Sequence, residues 1–83
     1  MKEFVVYILL SKKYNKTYTG YTSDLIKRFH SHNQLATKGF TIKYRPWLVA
    51  YIEFFTNKKE ALEREKFLKS GKGRAWVKDK LIL

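Results

Sequence analysis

The chain has 83 residues, no cysteine, and 18 Lys+Arg against seven Asp+Glu, a formal net charge of +11. This length predicts one domain over residues 1–83, with a core that removes only about 60% of the unfolded chain's surface from water. The missing cysteines exclude disulfides, thiolate metal sites and a cysteine nucleophile. Hydrophobic content of 45% is that of a folded chain. The longest apolar run, Phe4 to Leu10, is too short to cross a bilayer, which predicts a soluble cytoplasmic protein with no membrane partner. Asn15-Lys16-Thr17 is then a chance match to a glycosylation triplet.

Such a positive excess attracts polyanions. Six Tyr, six Phe and two Trp accompany it, so nucleic acid is the favoured partner: cations meet phosphates and rings stack on bases. The positives concentrate from Lys66 to Lys80. A membrane surface fits less well, because no helix divides cleanly into basic and apolar faces. A protein basic merely for solubility is the plain alternative.

In chain order, Phe4 to Leu10 reads as a strand buried on both faces, hence a central one. Asn15 marks a turn, and Thr17 to Tyr21 has strand composition again. The connection is too short for a helical crossover, so the two runs form an antiparallel hairpin. Thr22 or Ser23 caps a first helix, with Asp24 at its positive end and Leu25, Ile26 and Phe29 as its apolar face. That helix fades near Asn33, and Gln34 to Arg45 is a basic loop ahead of Pro46. Trp47 to Phe55 is a third strand. Asn57 caps a second helix with Glu60 as in a capping box, and Gly71 stops it after Ser70. Arg74 to Leu83 is a short third helix or an ordered tail.

On the second helix Ala61, Leu62 and Leu68 share a face, and Glu65 falls in the middle of that stripe while Glu63 points away. A carboxylate there must be paired or metal-bound, since leaving it bare costs several kcal/mol. Spacing leaves both readings open: an ion pair with an Arg, or a metal ligand in a cleft beside the sheet. Arg28 and His32 stand four apart on the first helix. They form either an exposed basic face or a pair able to hold a phosphate and move a proton. Tyr7 and Tyr18 lie on the two arms of the hairpin and can meet on one sheet face. A buried Tyr more often packs its ring than does chemistry, and a free phenol is a poor base.

Together these residues resemble the GIY-YIG nuclease superfamily, small stand-alone bacterial type. Val5-Val6-Tyr7 stands at its first signature triplet and Tyr18-Thr19-Gly20 at its second. Gly20 to Leu25, followed by Arg28 and His32, is similar to its turn into the first helix. Glu60-Ala61-Leu62 with Glu65 and Leu68 is similar to its metal-binding helix, and Lys69 to Trp76 to the tail of its small members. Val5 replaces a glycine, Thr19 replaces an isoleucine, and Trp76 lies where larger members often carry an Asn.

The resemblance implies an α+β fold, a three-stranded antiparallel sheet flanked by helices in the order β-β-α-β-α-α. It implies a DNA endonuclease that hydrolyses phosphodiester bonds with one Mg²⁺ or Mn²⁺. By position, Glu65 would be the metal ligand, Tyr7 and Tyr18 would position or activate water, Arg28 would stabilise phosphate charge, and His32 would assist proton transfer. Candidate backbone contacts are Lys12, Lys16, Lys38, Lys43, Arg45, Lys69, Lys72 and Arg74. The departures, and the want of a targeting domain, predict weak or structure-selective cleavage of branched or flapped DNA, or reliance on a protein partner. A DNA-repair role rests on the resemblance alone.

Two other classes compete. One is a nucleic-acid-binding module without catalysis. Lys38 to Tyr44 faintly echoes an RNA-recognition signature, but Ser11 to Lys16 cannot supply the helix that fold needs between its first strands. The other is a protein-interaction or ribosome-associated factor, basic because it works near RNA.

Overall fold

In the computed structural model, which describes residues 3–30 and 43–81, three antiparallel strands form one sheet in the order β2-β1-β3. β1 (Phe4–Ser11) is central; β2 (Lys16–Thr22) and β3 (Leu48–Phe55) are its neighbours. Among the described residues, helices α1 (Leu25–His30), α2 (Lys58–Lys69) and α3 (Gly71–Lys80) follow the expected order β-β-α-β-α-α. Among the described residues, no helix is long and apolar enough to cross a membrane.

β1 is central because its side chains are apolar in both directions. Val6 and Ile8 pack with Ala61, Leu68 and Val77 of the two long helices. Val5, Tyr7 and Leu9 pack with Trp47 on the other face, bordered by Leu25 and Phe29 of α1. The hairpin closes at the Ser11–Lys16 pair, and Asn15 takes the left-handed conformation at φ 53°. Asn tolerates that region better than most residues, as its turn signal implied.

The capping of α1 differs from the expectation. Asp24, rather than Thr22 or Ser23, accepts from the Lys27 amide at 3.1 Å. Thr22 instead accepts from the Asp24 amide at 3.0 Å, so the two side chains act in series. The predicted end of this helix near Asn33 lies outside the described residues.

Asn57 caps α2, its Oδ1 accepting from Lys59 at 2.8 Å and Glu60 at 3.4 Å. The predicted glycine stop is corrected. Gly71 opens α3, has no left-handed φ, and an added Cβ there would meet nothing within 4 Å. Ser70 does both jobs. Its extended backbone ends α2, while its hydroxyl donates to the Phe67 carbonyl and accepts from the Gly73 amide. Gly73 is the glycine that packing requires, because a Cβ there would collide with the Phe67 carbonyl and the Leu68 backbone.

The buried face of α2 is also corrected. Ala61 and Leu68 are buried, but Leu62 is 37% exposed. At about 100° per residue, Ala61 and Leu68 nearly coincide in direction, whereas Leu62 lies a quarter-turn away. Arg64 and Glu65 therefore flank the true contact line on opposite sides. Arg64 reaches β3, where Nε and Nη2 donate to Glu53 at 2.8 and 3.1 Å. Tyr51 donates to the same carboxylate at 2.6 Å. The guanidinium carbon also lies 4.9 Å from the Trp76 ring centroid and 5.3 Å from that of Phe67. One cation thus ties β3, α2 and α3 together.

Candidate functional site

The register sets Tyr7 opposite Gly20 and Leu9 opposite Tyr18. Paired residues of an antiparallel ladder share a face, so both tyrosines and Gly20 stand on one side of the sheet. Their ring centroids are 6.4 Å apart with planes inclined by 33°. Trp47 meets Tyr18 edge-on, also at 6.4 Å. Tyr7 keeps only 1% exposure. Its hydroxyl passes directly over Gly20, where an added Cβ would come within 2.5 Å of the Tyr7 oxygen and 3.2 Å of Tyr18 Cε1. The absence of a side chain at Gly20 is what lets the central-strand phenol reach the β2 edge.

Glu65 leaves α2 on the opposite flank from Arg64. The guanidinium partner that spacing had left open for Glu65 belongs to Glu53 instead. Glu65 is largely buried, its side chain 19% exposed, and the Lys69 ammonium one turn on lies 3.7 Å from Oε1. That separation is too long for a hydrogen bond, and Lys69 itself is half exposed. The same ammonium lies 5.9 Å from the Tyr18 ring centroid. α2 packs on one face of the sheet and the tyrosines on the other, so Lys69 links them around the β2 edge.

A cleft of about 570 Å³ opens along that edge, between β2 and the α2–α3 pair. Lys16, Tyr18, Lys69, Arg74 and Lys78 line it over a floor of Leu68 and Val77. Among the described residues, no carboxylate lines this cleft, and Glu65 adjoins it through Lys69. Its field is therefore strongly positive, as an interface for polyphosphate requires. Also among the described residues, no three of His, Asp or Glu gather as a metal cage. With no such cage among the described residues, an ion at Glu65 would rely largely on water and substrate for its other ligands.

The expected site residues fall into groups. Tyr7 and Tyr18 are brought together, and Glu65 is joined to Tyr18 through Lys69. Lys16, Lys69 and Arg74 line one cleft. Lys12 and Lys72 are exposed outside its lining. Lys43 lies 5.7 Å from the Tyr44 ring centroid, and Arg45 is half-buried before Pro46. Arg28 lies in α1, but its side chain, like all of His32 and Lys38, lies outside the described residues.

Sequence reasoning missed Lys78, which stands four residues after Arg74 on α3 and so shares its side of the helix. It also missed the Tyr51–Glu53–Arg64 network. The alternation Tyr51-Ile52-Glu53 puts both polar groups on one face of β3, a signal available in the sequence. The hydrogen bond to Glu53 pushes the Tyr51 phenol above its ordinary value, so Tyr51 stays protonated. Burial pushes the Glu53 carboxyl upward, but hydrogen bonds from Arg64 and Tyr51 outweigh it and hold that carboxyl below its usual range.

The profile of the GIY-YIG catalytic domain matches residues 3–78. A UPF0213 protein of Clostridium perfringens is 42% identical over 64 residues, covering 77% of this chain and 68% of that one. A UPF0213 protein of Staphylococcus haemolyticus is 37% identical over 70 residues, 84% of each chain. The solution structure of a UPF0213 protein from Bacillus halodurans superimposes with a TM-score of 0.55 at 28% identity, over 90% of this chain and 81% of that one. A tyrosine pair across the hairpin, a glycine beneath the first phenol and the largely buried Glu65 on α2 accompany a sequence match over nearly the whole length: the chain belongs to the GIY-YIG family, whose catalytic domain implies a nuclease-type function.

Proposed function

We propose that this protein is an endonuclease that hydrolyses phosphodiester bonds in DNA at the β2-edge cleft, using a divalent ion held by Glu65. The observation that carries the reading is the meeting of Tyr18, Lys69 and Glu65 at the border of a cation-lined cleft. The ammonium near Glu65 supports a position that attracts positive charge, and its loose, half-exposed geometry leaves the carboxylate able to exchange it. A single carboxylate suits Mg²⁺ or Mn²⁺ that keeps several waters and takes phosphate oxygens as further ligands. Once bound, the metal supplies positive charge to the phosphoryl oxygens and lowers the pKa of water.

The chain's own residues do the rest. Lys16, Arg74 and Lys78 hold the backbone in the cleft, and Lys69 turns from Glu65 to a phosphate. Tyr18 orients the attacking water, with Tyr7 fixing the Tyr18 ring from beneath. Arg28 stabilises the charge that grows on the phosphoryl oxygens, and His32 protonates the leaving oxygen. The finer reading is of slow, structure-selective cleavage of branched or flapped DNA in repair, helped by a targeting partner.

Near-complete burial of Tyr7 favours a second reading, a binding module of the same fold without catalysis. Labelled duplex, flapped and branched DNA, incubated with Mg²⁺ or Mn²⁺, separates the two. Glu65→Gln is expected to slow cleavage by about a hundred- to a thousandfold while leaving binding intact. Binding without cleavage under any condition would select the module.

A further inference from the structure

The tip of the β1–β2 hairpin carries two aromatic rings, Tyr14 and Tyr44, that the proposed chemistry does not use, set among lysines of which Lys16 also serves the cleft. Tyr14 is 43% exposed, and its ring meets Tyr44 edge-on at 5.6 Å. Lys13 lies 5.4 Å from the Tyr14 ring centroid, and Lys16 and Lys43 each lie 5.7 Å from that of Tyr44. Asn15 and Lys16, which follow Tyr14, also line the cleft. The cluster is therefore continuous with the cleft through two adjacent residues. A strand held along Lys16 would run directly onto it.

We propose that Tyr14, backed by Tyr44, is a stacking platform for an unpaired base of a DNA strand leaving the cleft. The assignment rests on the nucleic-acid reading of that cleft and names its substrate class: DNA with a single-stranded extension. A duplex interior offers no free ring face, because its bases stack on one another, whereas an unpaired base does. The lysines over the rings are no obstacle. Moving an exposed ammonium off an aromatic face costs a factor of about two to five, while a stacked base gains about five- to a hundredfold. The displaced ammonium then meets the phosphates that flank the base. Structural packing alone accounts poorly for Tyr14, which leaves much of its surface in solvent at a turn, while Tyr44 packs against the Val5–Tyr7–Leu9 core.

Fluorescence anisotropy with a labelled blunt duplex, and with the same duplex carrying an oligothymidine extension, tests this. The wild-type chain should bind the extended form more tightly. Tyr14→Ala should lose about five- to a hundredfold on the extended form alone, and Tyr14→Trp should restore it. A 2-aminopurine in the extension should be quenched by the wild type and not by Tyr14→Ala. Equal weakening on both DNAs, or no preference for the extension in the wild type, overturns the platform while leaving the cleft reading intact. Tighter binding of an oligouridine extension than of oligothymidine overturns the assignment to DNA. Failure to bind either DNA overturns the cleft reading and the platform together. Circular dichroism of both variants separates these outcomes from misfolding.

Discussion

Gly20 shows how one residue decides what its neighbours can do. The Tyr7 hydroxyl and the Tyr18 ring occupy the space a Cβ would need. Gly20→Ala should therefore push the phenols apart and destabilise the fold by about 1–3 kcal/mol, an overpacking cost, readable by urea unfolding. DNA cleavage should fall further than stability explains, because Tyr18 borders the cleft. Unchanged stability would mean that the glycine is not held by the tyrosines. At this scale the sequence was informative about identity and not about contact. That Glu65 would be drawn out of solvent was legible from spacing, and that Tyr7 and Tyr18 could meet, but the register that pairs them was not. Which cation would stand beside Glu65 was not, because helical period alone does not distinguish an Arg across the sheet from a Lys one turn along.

At the scale of elements, α2 works as a lever with two charged arms. Ala61 and Leu68 seat it on β1, Arg64 grips β3, and Glu65 faces the β2 side. Leu62 misled the sequence reading because three apolar residues define a face only if all three lie within its width, and Leu62 lies at its margin. Gly71 misled it because a glycine after a helix is the common stop, whereas here Ser70 reverses the chain and the glycine starts the next helix. The Arg64–Glu53 arm predicts a pH effect. The folded-state pKa of Glu53 lies below its ordinary value of 4.5. Its contribution is thus fully present above that value and fades as pH falls through the lowered one. Glu53→Gln should flatten this acid-side loss in a series of thermal melts, and should cost about 1 kcal/mol at neutral pH. A variant that loses stability as steeply as wild type below pH 4.5 would show that Glu53 does not carry the acid-side loss.

Over the whole molecule, net charge and shape act together. A charge of +11 on a small chain favours a polyanionic partner, and Lys16, Lys69, Arg74 and Lys78 converge along one edge of the sheet. Four phosphate contacts predict a log–log salt slope of about −3.6 for duplex DNA, reduced in magnitude by about one in Lys78→Ala. Binding that ignores salt would place the cleft outside the interface. The architecture was largely legible in advance, because β1 is apolar in both directions and the hairpin is too short for any other connection. The cleft was not, because it is lined by cations from β2, α2 and α3, whose convergence depends on Ser70 turning the chain and on the close approach at Gly73. Whether Glu65 holds the ion is read most directly from a crystal structure of the protein with flapped DNA and Mn²⁺, by anomalous scattering. A manganese peak is expected at about 2.2 Å from a Glu65 carboxylate oxygen, with Lys69 turned to a phosphate beside Tyr18. An ordered DNA backbone in the cleft with manganese elsewhere and the Lys69–Glu65 pair intact would contradict it.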